Sequence, residues 1–504
     1  MSEIKKLAGQ TLWYGASSIA ARFLNYLLTP YLTAVLTGAA YGKMSLVYAA
    51  IPFLNIIFTY GLETAYFRYS TNKEQQEQVY NTATISLICS TILLTGLLVL
   101  ASGPVASLLG LGEHPEYIKW SAYIIALDAL STLAFAKLRF EGRPLKFAIV
   151  RLSGIAINIG CVIFLLSVFP KLAKENPHSF WSVFYNPDNK VGYVILANLV
   201  QAGITFLLLS KEFFSFRWQF NAKLWKDIIL YSSPLILAGF AGMINETFDR
   251  IMLRWWTPAT TPEAADFQVG VYSACYKLSI LISLFIQAFR MGAEPFFFKQ
   301  AKGQQPQRTY ARVMKFFVIT ICFMFLVVAL FLDGWKYFIS NHALWEGLKV
   351  VPVLLLANMF LGIYYNLSIW YKLSNKTMAG AWITVVGAVI TLLINYFFIP
   401  VYGYMACAWA TFACYGTMMV ISYVWGQKHY PVPYPWKKLV IYILLCVGLY
   451  GGYTLFSRIG LGVWADGAFG LLLLSLFGLF IVNVERKEFE RLPVVGKYFA
   501  PKTA

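Results

Sequence analysis

The chain of 504 residues is 59% hydrophobic and only 13% charged, where soluble domains carry about 25% charged residues. That balance excludes a soluble globular protein, and bilayer arithmetic replaces domain counting: roughly 20 apolar residues cross a hydrocarbon core of about 30 Å. The net charge of +18 raises nucleic acid as a partner, but the placement of the basic residues argues against it.

About fourteen apolar windows follow one another, beginning near Gln10, Lys43, Tyr80, Tyr117, Phe147, Val191, Trp225, Val269, Arg312, Lys349, Thr377, Gly403, Lys437 and Trp464. The connections are mostly short, so the expected fold is an all-α integral membrane protein. The first window continues to about Leu36, beyond the roughly 7–15 apolar residues of a signal sequence, and is expected to act as an uncleaved anchor.

Basic residues alternate by loop. Lys137, Arg139, Arg143 and Lys146 share one loop, and Lys211, Arg217, Lys223 and Lys226 another. Lys299, Lys302, Arg308, Arg312 and Lys315 share a third, while Ser102–Glu116 and Pro400–Gly403 hold no Lys or Arg. Roughly 27 basic residues fall on one side and about 9 on the other, the positive-inside pattern. An even number of crossings puts both termini in the cytoplasm, in keeping with Lys5, Lys6 and the basic tail Arg486–Lys502. The excess charge then reads as topology and affinity for anionic lipid, with no nucleic acid partner. The seven cysteines lie in apolar windows without C-x-x-C spacing and the four histidines lie in loops, so neither a metal site nor a disulfide framework is expected.

The chain matches itself at an offset of about 228 residues: Arg22 falls on Arg250, Thr29–Pro30 on Thr257–Pro258, and Gly42 on Gly270. The octapeptides "GLETAYFR" (Gly61–Arg68) and "GAEPFFFK" (Gly292–Lys299) match after about three added residues. Lys146 with Lys376, and Pro170 with Pro400, continue the register more weakly. Six windows per period give two parallel six-helix bundles of like orientation around a central cavity. The expected domains are residues 1–215, residues 216–430, and residues 431–504 as two extra helices with a basic cytoplasmic tail.

An ionisable side chain in a spanning helix costs at least about 2.5–3.5 kcal/mol at the bilayer centre, so each is a functional candidate. The first segment carries Arg22, with Gly15, Ser18, Asn25 and Thr29 on the same face at the helical period. Asp128 lies in the fourth segment and Arg151 early in the fifth. The seventh holds Glu246, Asp249 and Arg250, with Gly242 and Asn245 nearby. In the eighth, Lys277, Ser283, Gln287, Arg290 and Glu294 fall within an arc of about 60°. Thr384, Thr391 and Asn395 form a milder stripe on the eleventh.

Each has a structural alternative. Glu246 and Arg250, four apart, can neutralise one another. Glu63 and Glu294 sit beside Arg68 and Lys299, where local salt bridges fit. Arg151 can snorkel to the interface, and small polar residues can serve close helix packing. Arg22 and Arg290 resist such accounts best: within three or four residues, only Glu294 offers an opposite charge, and that to Arg290. Polar faces on the first, seventh and eighth segments point to a hydrated cavity. The substrate-binding candidates are Arg22, Asn25, Arg250, Lys277, Gln287 and Arg290. The coupling or gating candidates are Glu63, Asp128, Glu246, Asp249 and Glu294. Arginine offers phosphate a bidentate, permanently charged donor, which favours an anionic headgroup.

Three stretches carry a family resemblance: "GLETAYFRY" on the second segment, "DRIML" (Asp249–Leu253) on the seventh, and "VGVYSACYKLS" leading to "QAFRMGAEPFFFK" on the eighth. In these the chain resembles the polysaccharide biosynthesis (oligosaccharide flippase) family of the multidrug/oligosaccharidyl-lipid/polysaccharide exporter superfamily. The resemblance implies two six-helix bundles forming a V, with two further helices. It implies flipping of an undecaprenyl-pyrophosphate-linked sugar unit across the cytoplasmic membrane of a bacterium for surface polysaccharide such as O-antigen or capsule. By position, Arg22 looks like the central cations thought to engage pyrophosphate in related lipid II flippases.

The expected partners are the lipid-linked oligosaccharide, membrane lipids, and a polysaccharide polymerase and glycosyltransferases. No cofactor is expected, and coupling to protons or sodium stays open. A cation-coupled drug or metabolite antiporter of the same architecture is the nearest alternative, kept alive by Asp128, Glu246 and Asp249. A sugar facilitator is disfavoured because "RYSTNKEQQEQV" lacks the G-x-x-x-D-R/K signature of that family. A membrane glycosyltransferase or polymerase would need convergent carboxylates. The longest outer loop, Lys171–Lys190, offers Glu175, His178 and Asp188 at no recognised spacing, and no P-loop occurs.

Overall fold

The computed structural model describes residues 2–70, 75–175, 178, 182–183, 185–301, 304–374 and 376–490. Within them the chain is helical with no strand, and thirteen helices are long and apolar enough to cross a membrane. The first helix, α1 (Ser2–Val35), is long enough as well, but Arg22, Asn25 and its tyrosines dilute its apolar character, so it is not among the thirteen. Much of the loop Lys171–Lys190, Lys302, and the tail beyond Glu490 lie outside the described residues.

After α1 come α2 (Gly38–Thr59), α3 (Leu62–Tyr69), α4 (Gln76–Leu100), α5 (Pro115–Phe140), α6 (Pro144–Ile163) and α7 (Lys190–Leu208). The second run is α8 (Ala222–Glu246), α9 (Phe248–Trp256), α10 (Pro262–Gln300), α11 (Pro306–Ala329), α12 (Val351–Leu367), α13 (Thr377–Tyr402) and α14 (Tyr404–His429). The chain closes with α15 (Trp436–Ser457) and α16 (Val463–Val484).

Local chemistry sets these boundaries. Prolines sit in the first turn of α5, α6, α10 and α11, where the missing N–H has no helical partner to lose. Thr37, Asn189, Asn221 and Thr261 cap α2, α7, α8 and α10 by accepting a backbone N–H that would otherwise be orphaned in the membrane. The break between α2 and α3 is made by Tyr60 (φ 32°) and Gly61 (φ 74°), two consecutive left-handed residues that no helix can continue through.

Helices α1 and α4–α7 pack among themselves, as do α8–α14. The last two helices dock on α11, pinned at one end by Glu485. Its carboxylate takes Lys315 Nζ (2.6 Å), Lys438 Nζ (3.1 Å) and the Tyr442 hydroxyl (2.5 Å).

The two groups meet most extensively where α2 crosses α10. There the residues matched at the 228 offset face each other reciprocally. A Cβ on Gly42 would strike the Asp266 carbonyl, and one on Gly270 would strike the Gly38 carbonyl. Only glycine allows backbones this close. On the face where α1 ends, here called distal, Trp255 Nε1 donates to the Leu108 carbonyl (2.6 Å) and Ser340 Oγ to the Pro30 carbonyl (3.0 Å). On the proximal face, where α1 begins, Tyr69 Oη donates to the Asp227 carbonyl (3.2 Å) and the Arg68 guanidinium lies 4.4 Å from the Tyr231 ring centre. Met291 of α10 also fills the notch left by Gly15 of α1. Between these seams the halves part.

Candidate functional site

A cavity of about 730 Å³ opens between α1 on one side and α8–α10, α12 and α14 on the other. From α1 it receives Ser18, Arg22 and Asn25, spaced so that one helical face points inward. From α10 it receives Lys277, Ser283, Gln287, Arg290 and Glu294, the arc expected from the sequence. Glu246 and Arg250 complete the charged wall. A second chamber of about 310 Å³ continues distally and shares Asn25, Thr247, Arg250, Tyr276, Lys277 and Ile280 with the first. All six substrate-binding candidates therefore line one continuous space.

The cations there are held in two different ways. Arg250 Nη1 pairs with Asp249 Oδ1 at 3.0 Å and donates to the Glu246 backbone carbonyl at 2.7 Å, with the Tyr276 ring centre 4.4 Å away. Asp249 is itself buried and takes the Tyr272 hydroxyl at 2.6 Å. Arg290 reaches Glu294 at 3.3 Å and lies 4.7 Å from the Tyr365 ring centre. Arg22 and Lys277, by contrast, have no hydrogen-bond or ion-pair partner among the described residues. Four cations on the wall, with Lys372 beside them, thus meet three carboxylates, Asp249, Glu246 and Glu294, and Glu294 is already engaged by Lys372 and Arg290. The surplus is positive. A guanidinium with free donors binds phosphate or carboxylate, and its charge cannot be removed at ordinary pH.

Several expectations change. Glu246 and Arg250 meet through a backbone carbonyl, while Asp249 supplies the charge. Glu63 pairs with Arg139 of α5 instead of Arg68, and Glu294 with Lys372 instead of Lys299. Arg68 crosses to Tyr231 of the other half. Glu63 and Asp128 do not line the cavity; Asp128 lies within the electrostatic reach of Arg151. Asn245 turns away from the cavity. Its amide donates to the Thr384 carbonyl (3.2 Å), its Oδ1 accepts from Thr391 (3.4 Å), and Asn395 approaches Met252. The polar stripe of α13 therefore fastens α8 and α9 to α13. Sequence reasoning missed Tyr26, Tyr276, Tyr365 and Tyr415, all cavity residues, because an aromatic in an apolar window reads as core or lipid contact.

The profile of the family described as polysaccharide biosynthesis protein matches residues 7–300, more than half of the chain. The chain belongs to the polysaccharide biosynthesis protein family. No curated protein matches it. Among solved structures, it is similar to the lipid II flippase MurJ in an inward closed conformation, with a TM-score of 0.70 at 13% identity, covering 94% of this chain and 99% of that one. It is also similar to multidrug resistance MATE family transporters of the MOP superfamily. An inward-facing one gives 0.63 at 12% identity, covering 81% and 94%, and an outward-facing one 0.55 at 14% identity, covering 84% and 95%. At such identities the likeness is one of fold.

In this family member the two octapeptides take different shapes. "GLETAYFR" follows the α2–α3 break, whereas "GAEPFFFK" stays inside the unbroken α10. Both glutamates nevertheless grip a cation of their own half, Arg139 and Lys372.

Proposed function

We propose that this membrane protein is a flippase that moves a polyprenyl-pyrophosphate-linked oligosaccharide across the cytoplasmic membrane of a bacterium by rocking residues 1–215 against residues 216–430. The observation that carries the reading is the cavity between the halves, in which Arg22 and Lys277 keep their donors free. Cations that keep their donors free on the wall of an open cavity are available to a ligand of opposite charge. A pyrophosphate supplies the matching charge, the sugar would travel in the polar cavity, and the polyprenyl tail would remain in lipid. Family membership supports polysaccharide assembly as the setting, with glycosyltransferases supplying and a polymerase consuming the flipped unit.

A cation-coupled antiporter is the second reading, favoured by the exposed Glu246 carboxylate in the same cavity. Purified protein in liposomes separates the two. The flippase reading expects fluorescent lipid-linked oligosaccharide added to one leaflet to become accessible in the other, with no uptake of a labelled organic cation. Cation uptake without lipid movement would reverse the assignment.

A further inference from the structure

The carboxylates around the cavity are not equivalent. Asp249 is buried and engaged by Arg250 and the Tyr272 hydroxyl, and Glu294 is held by Arg290 and Lys372. Glu246 is exposed on the cavity wall, and its carboxylate has no hydrogen bond or ion pair among the described residues. The distal chamber has no carboxylate in its wall; Asn158 of α6 and Asn198 of α7 meet there instead. Among the described residues, Glu246 is therefore the one negative side chain of the continuous space that no cation holds.

A helix break sets its place. Helix α8 ends at Glu246, and Thr247 (φ −136°, ψ −17°) turns the chain before α9 starts. Arg250 Nη1 covers the Glu246 backbone carbonyl at that end, so the carbonyl is satisfied and the side chain is left to the open space. Arg22 of α1, Arg250 of α9 and Arg290 of α10 lie within electrostatic reach of the carboxylate. Tyr276, Tyr365 and Tyr415 face it from α10, α12 and α14. Those arginines are three of the four cations offered to a pyrophosphate. A carboxylate among them offsets part of their charge when the cavity is empty and repels phosphate when it is filled. Passage across a membrane needs a site attractive enough to enter and weak enough to leave.

We propose that Glu246 is a release-setting residue, an internal competitor for Arg22 and Arg290 that keeps affinity for the phosphates of the lipid low enough for the ligand to leave. The inference rests on the lipid-pyrophosphate reading above and adds to it a step. The phosphates displace the Glu246 charge as counter-ion of the arginines on binding, and Glu246 resumes that place on release.

The test uses the purified full chain in nanodiscs and two probes, undecaprenyl pyrophosphate and uncharged undecaprenol, with binding measured by native mass spectrometry. Glu246→Gln, which keeps the shape and loses the charge, should bind the pyrophosphate lipid about fivefold more tightly and leave undecaprenol binding and the melting temperature unchanged. In liposomes carrying the fluorescent lipid-linked oligosaccharide, its half-saturating concentration and its maximal rate should both fall, because release is slower. Glu246→Asp, which restores the charge, should return both towards the wild type. Glu246→Ala carries the same expectation as Glu246→Gln and keeps the proposal exposed should the latter fold poorly. Unchanged or weaker binding of the pyrophosphate lipid by the uncharged variants, or a gain shared with undecaprenol, would overturn the release role while leaving the pyrophosphate reading intact. Failure of the wild type to bind undecaprenyl pyrophosphate would overturn both.

Discussion

Arg22 and Arg250 occupy matching places in the two halves, yet their surroundings have little in common. Arg250 is fixed by Asp249, by the Glu246 carbonyl and by the Tyr276 ring. Arg22 projects from α1 into the same cavity without such support. In the repeat, residue 249 is aspartate and its counterpart, residue 21, is alanine. One substitution at the carboxylate position separates a buttressed cation from an open one. The comparison teaches that at these matched places the second half braces its arginine with a carboxylate of its own, while the first leaves its arginine open to a ligand, as the second half leaves Lys277. The two halves are alike where they touch, at Gly42 and Gly270, and unlike where they face the cavity.

The largest expected effect tests the buttress. Asp249→Ala leaves Arg250 and the Tyr272 hydroxyl without their acceptor, and breaking a buried pair in this way costs about 3–5 kcal/mol. The melting temperature in detergent should fall sharply. If it stays at the wild-type value, Arg250 is not held as described. The matching test of the open cation reads transport. Arg22→Ala should lower movement of a lipid-linked sugar by about 30-fold, equivalent to about 2 kcal/mol, with melting temperature and membrane abundance unchanged. Equal stability losses at the two arginines would erase the contrast between the halves.

A smaller effect belongs to the cluster that docks the last two helices. Burial pushes the Glu485 carboxyl up, but Lys315, Tyr442 and Lys438 outweigh it and hold the group below its ordinary value of 4.5. A carboxyl depressed in the folded state contributes stability above its unfolded pKa and loses that contribution as pH falls through the folded one. Acidification from pH 7 to below 4.5 should therefore loosen α15 and α16 from α11. Protease nicking near Arg458 gives the readout, and Glu485→Gln should remove the pH dependence. The smallest effect should come from Glu63→Gln and Glu294→Gln. Both pairs are part-exposed, so each should cost under about 1 kcal/mol of stability. A much larger loss at one of them would mark a gate in that half alone.

The helical period made the inward faces of α1 and α10 legible, because polar residues three and four apart have no other way to share a side. The same logic drew the stripe Thr384, Thr391 and Asn395 and left its role open; the structure packs it against Asn245 and Met252. A period shows that a face is polar without showing whether water or another helix covers it. The partners of Glu63 and Glu294 were out of reach for a different reason. Arg139 and Lys372 lie about 76 and 78 residues away in the chain, so nearest-neighbour charge pairing could not find them. Asn158 and Asn198 are single amides in apolar segments and repeat at no interval, and their meeting across one chamber is a tertiary fact.

The most direct measurement of the central claim is solvent access to the cavity wall and its protection by ligand. With the seven native cysteines replaced, Gln287→Cys places a thiol opposite Arg22 in the cavity. In proteoliposomes a membrane-impermeant thiol reagent should label it, and undecaprenyl pyrophosphate should slow the labelling several-fold, whereas undecaprenol, which has no charge, should not. A thiol that never reacts, or one that both lipids protect equally, would contradict a wet, positively charged passage between the halves.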